Sequence, residues 1–169
     1  MEYIHGSFSN AKRTMTSHYG QGFYTDGPGC MGNDYDLMPN EPADLSSCTV
    51  ASGGRLKRFV VAGSEEPDRV LDVSYVFEGG AASPSELSSL LGSLPLVSTK
   101  DVPLPLQPLF PRVPDARLYR SQDGSLLVRL TDEGSASKPS QVATVFNLSS
   151  IELFSESIHR CLRAYKYVE

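Results

Sequence analysis

The stretch LKRFVVAGSEEPDRVLDVSYVF, Leu56 to Phe77, decides the fold. Two apolar runs, Leu56 to Ala62 and Val70 to Phe77, carry the β-branched and aromatic residues that suit a pleated, half-buried surface. The polar segment SEEPD between them is turn chemistry, with proline and acidic residues where a chain reverses. Each run is strand length and too short for a buried helix, so this stretch predicts two strands joined by a turn.

The same signal returns downstream. Arg117 to Ser121 and Leu126 to Leu130 flank QDGS, whose Asp-Gly predicts a hairpin. Val142 to Phe146 and Ile151 to Phe154 read as two further short strands. Between the two halves, SPSELSSLLGSL has Ser83 at an N-cap, Pro84 at the first helical position and Glu86 closing a capping box, which predicts a short helix. Pro95 to Pro114 is proline-dense, with leucines and Phe110 between the prolines, and reads as an extended strap over the core. The last segment, SESIHRCLRAYKYVE, suits a helix or a closing strand equally. Upstream, Tyr3 and Ile4 suit a buried strand ending at His-Gly, and Thr25 to Gly54 reads as a long irregular excursion with one helical turn. No internal repeat is visible. The tally of six or seven strands and two or three short helices, without βαβ alternation, predicts a single α+β domain over residues 1–169 with a largely antiparallel sheet.

Composition narrows the function. The chain has 169 residues, 40% of them hydrophobic and 21% charged, which fits one globular domain. A net charge of −5 makes a broad nucleic-acid footprint an unfavourable expectation. No apolar run is long enough to span a bilayer, and MEYIHGS has neither the basic nor the apolar region of a classical signal peptide. Three scattered cysteines, Cys30, Cys48 and Cys161, suit free thiols in a reducing compartment. No metal-ligand spacing joins them to His5, His18 or His159, so no metal is expected.

Four short motifs from both ends of the chain point to a chemistry. His5-Gly6-Ser7 follows Tyr3-Ile4, Gly22-Phe23-Tyr24-Thr25 follows it, Tyr35 lies eleven residues after Tyr24, and Ser149-Ser150-Ile151-Glu152-Leu153 stands near the C-terminus. In this order they resemble the ADP-ribosyltransferases of the diphtheria-toxin and poly-ADP-ribose-polymerase type. The resemblance implies that family's fold of split antiparallel β-sheets with a few short helices. It implies NAD as substrate, with no metal. His5 would orient the adenosine ribose, Gly6 and Ser7 would border the nicotinamide, and Tyr24 and Tyr35 would stack on it. Glu152 would stabilise the cationic charge that develops on the ribose. The string SQVATVFNLSSI also resembles a family ending that would put Gln141 at the catalytic position, and Glu156 is a third candidate. The interval from His5 to Tyr24 is short for the family's intervening helix.

The resemblance further implies a mono-ADP-ribosyltransferase acting on a protein acceptor, such as a host signalling or ubiquitin-system protein. Ser150 precedes Glu152 by two residues where arginine-directed members carry Glu or Gln, so arginine specificity is not expected. An effector delivered into a host cytoplasm without a classical signal peptide, or an intracellular toxin, is the matching setting. Two other classes stand beside it: a bare NAD glycohydrolase, and a non-enzymatic adaptor that binds a host protein.

Overall fold

The computed structural model describes residues 3–19, 23–25, 33–37, 54–80, 85, 96–98, 101–103, 107, 116–153 and 155. These form helix α1 (Phe8–Tyr19), strands β1 (Phe23–Thr25), β2 (Asn33–Leu37), β3 (Arg55–Glu65), β4 (Asp68–Glu78), β5 (Leu96–Val97), β6 (Arg117–Arg120), β7 (Leu126–Ser135) and β8 (Lys138–Asn147), and helix α2 (Leu148–Leu153). The eight described strands make one antiparallel sheet in the order β1-β2-β3-β4-β8-β7-β6-β5. The architecture is mostly antiparallel β with short helices, in keeping with an α+β class.

The opening stretch is a hairpin, as its two runs predict, with strands that reach further toward the turn at Glu66-Pro67 than the apolar residues alone indicate. The Asp-Gly turn also forms. The Gly124 N–H donates to the Ser121 carbonyl at 2.9 Å, and Gly124 takes a φ of 72°, which favours glycine. Val142 to Phe146 lies within β8, which pairs with β7 from Ser135↔Lys138 to Leu126↔Asn147. Three expectations are corrected. Tyr3 to Gly6 is a turn, not a strand, because Ser7 starts a helix immediately after it. Ile151 to Leu153 is helical, because Asn147 caps a helix at the end of β8. The excursion and the strap each contain a strand, β2 and β5, which raises the number of described strands to eight. Of the predicted helix from Ser83 only Ser85 is described; most of the strap, the C-terminal segment after Ser155, Glu156 included, and all three cysteines lie outside the described residues.

Although no repeat shows in the sequence, the sheet consists of two four-strand meanders. Their last strands, β4 and β8, lie side by side and antiparallel. Ser74 and Thr144 face each other at this seam, and each is the seventh residue of its strand. Their hydroxyls are 3.1 Å apart. The two long hairpins are thus related by an approximate two-fold axis through this pair.

Alternation along the strands gives the sheet two buried faces. On the first, Val61, Val70, Val73, Leu126, Val128, Leu130, Ala143 and Val145 pack with Ile4, Phe8 and Ala11 from the N-terminal segment. On the second lie Leu71, Leu118, Leu127 and Phe146, also buried. A register shift between Ala62 and Gly63 leaves Leu71 without a partner opposite. This bulge lets Val70 and Val73, an odd number of residues apart, reach the same face.

Candidate functional site

The His-Gly-Ser segment is built around a helix start. Ser7 is the N-cap of α1, and its Oγ accepts the Asn10 N–H at 3.1 Å. The same hydroxyl donates to Asp68 Oδ2 at 2.6 Å, and the Ser9 N–H donates to Asp68 Oδ1 at 2.8 Å. An acid from the first residue of β4 therefore satisfies donors at the N-terminus of α1. Phe8 is fully buried beside Gly63, and Lys12 lies 4.8 Å from the Phe8 ring centre while pairing with Glu65. Gly6 is committed on both sides: its N–H donates to the Tyr3 carbonyl at 3.0 Å, and its carbonyl accepts from Val70 N–H at 3.3 Å.

Residues 4–6 cross the sheet from β8 to β4. The Ile4 carbonyl accepts from Asn147 Nδ2 at 2.6 Å, just before Gly6 meets Val70. Asn147 also accepts from Ser149 Oγ at 2.8 Å and from Ser150 N–H at 3.4 Å, which caps α2. His5 is exposed on this crossing. Asn147→Ala should destabilise the fold by about 2–3 kcal/mol, since it removes a cap and orphans a buried carbonyl. Asn147→Asp keeps the cap but replaces the Nδ2 donor with a buried carboxylate oxygen facing the Ile4 carbonyl, so it should be no milder in urea unfolding. A rescue by aspartate would assign the whole effect to the cap.

The other predicted site residues are distributed as follows. Tyr24 and Tyr35 are direct Cα partners on β1 and β2, at one edge of the sheet. Glu152 is exposed on α2, with Ser150 and Ile151 of the same short helix turned inward. Gln141 is fully buried in β8; its Nε2 donates to Asp132 Oδ1 at 2.8 Å, and Asp132 is held in turn by Arg117 Nη2 at 2.9 and 3.0 Å. The structure thus brings Tyr24 to Tyr35, and His5 to the end of β8 from which α2 and Glu152 follow. It sets the two groups on different strands: at ~4.8 Å per strand, two steps (about 10 Å) separate β2 from β4, where Gly6 is bound, and four (about 19 Å) separate β1 from β8. The hollow beside His-Gly-Ser is lined by Tyr3, Gly6, Ser7, Asn10, Ala11 and Thr14. Its cavity volume is ≈ 20 Å³, room for about one water and far below the range of about 300–1,000 Å³ usual for ligand pockets.

Two polar networks were not legible from the sequence. On the second face, Ser74, Thr144 and Arg129 stand in one cross-strand row, with the Arg129 guanidinium 5.6 Å from the Phe146 ring centre. Burial pulls Arg129 below its ordinary range, against the charges of Asp72 and Glu133. In the β6–β7 turn, Asp123 accepts from Ser121 Oγ at 2.6 Å and from the N–H and hydroxyl of Ser125. These bonds, the Ser121 hydroxyl first, hold its pKa at about 2, and Asp68 is lowered by the Ser7 hydroxyl and the Ser9 N–H. The sequence shows the acids and serines but not which serine meets which acid. Among the described residues, no group of three His, Cys, Asp or Glu side chains is placed to hold a metal, and no helix is long and apolar enough to cross a membrane.

The lowered carboxyls predict an acid response. A carboxyl with a depressed folded-state pKa stabilises the fold above its ordinary value, and that contribution is lost as pH falls toward the folded value. For Asp123 the window runs from 3.8 down to about 2. The Asp123 side-chain carboxyl carbon should titrate near 2 by NMR. Ser121→Ala should move that midpoint upward, because the largest cause is gone; an unmoved midpoint would reject the assignment.

The fold and this site define an α+β protein on one eight-stranded antiparallel sheet, with its His-Gly-Ser segment used as a helix cap. Compared with known proteins, the chain matches no family model, no curated protein and no solved structure.

Proposed function

We propose that this chain is a non-enzymatic binding module that engages a protein partner. The observation that carries this reading is the commitment of Gly6. A nicotinamide carboxamide would need the N–H and C=O of this glycine; its one N–H donor is used on Tyr3, and its C=O is already engaged by Val70. His5-Gly6-Ser7 then serves to fasten α1 to the tip of the β3–β4 hairpin.

The second reading is a mono-ADP-ribosyltransferase with NAD as substrate and a host signalling or ubiquitin-system protein as acceptor, or the related NAD glycohydrolase, delivered to a host cytoplasm. The order of its motifs and the pairing of Tyr24 with Tyr35 favour it. The single sheet, where split sheets were expected, and the exposed helical position of Glu152 weigh against it. Purified protein incubated with NAD, alone and with cell lysate, separates the two. A binding module releases no nicotinamide above the buffer rate and labels no protein. A transferase does both, and Glu152→Gln then lowers its rate by about 10² or more, as expected when one charge-stabilising group is lost. Nicotinamide release that survives Glu152→Gln and disappears in Gln141→Ala would move the catalytic role to β8.

A further inference from the structure

We draw no further inference here: the strongest candidate, the partly exposed strip of Val76, Val142 and Thr131 across the second face of the sheet, is an apolar face for which nothing in the structure shows what covers it.

Discussion

Phe8→Ala is expected to destabilise the protein by about 3–5 kcal/mol, the cost of truncating a fully enclosed aromatic side chain. Phe8 sits in the first turn of α1 and joins the first-face core together with Ile4 and Ala11. Its removal takes away the largest apolar side chain that α1 contributes to the core, leaving Ala11. The remaining ties to the hairpin tip, Ser7 and Ser9 to Asp68 and Lys12 to Glu65, are polar and partly exposed. Exposed pairs of this kind contribute roughly 0–1 kcal/mol each, too little to hold the helix alone. Equilibrium urea unfolding reads the effect directly. A loss below about 1 kcal/mol would mean that α1 is not seated on the sheet, since few buried phenylalanines are so lightly held.

Gly63→Ala should cost about 3 kcal/mol, the upper end for overpacking a filled core. A Cβ at this position would lie 2.4 and 2.5 Å from Phe8 Cδ2 and Cγ, and 2.6 Å from the Arg69 carbonyl oxygen. The ring could shift only by disturbing its own packing, and the carbonyl belongs to the partner strand. The two sites are therefore coupled, and a double-mutant cycle should show it. In the Phe8→Ala background, Gly63→Ala loses its clash with the ring but keeps the clash with backbone. Its cost should fall without vanishing. Strict additivity would indicate that Phe8 does not lie over Gly63.

The sequence was most informative where a structural unit is closed over a short span. Leu56 to Phe77 carries both strands and their turn, and QDGS carries the next reversal in Asp123-Gly124. Strand pairing across such turns needs only residues close in the chain, so pattern and turn chemistry suffice. The N-terminal segment was misread for the opposite reason. Tyr3 and Ile4 carry strand-like side chains, yet their backbone is set by partners far along the chain: Asn147 holds the Ile4 carbonyl across 143 residues, and Asp68 holds Ser7 across 61. For Glu152 the deciding signal is local: the spacing of Ile151 and Leu153 suits a strand, but Asn147, three residues before Ser150, caps a helix.

For the candidate site, the sequence determined which residue types were present and in what order, and it determined the two hairpins that frame them. Only the tertiary structure decided that Tyr24 is registered opposite Tyr35 on adjacent strands, and that the N–H and C=O of Gly6 are both engaged within the chain. The physical reason is that a backbone N–H is a single donor, so an N–H committed within the chain is not free for a ligand. Whether Gly6 faces a ligand or Val70 depends on the position of β4, which no local pattern in His5-Gly6-Ser7 encodes.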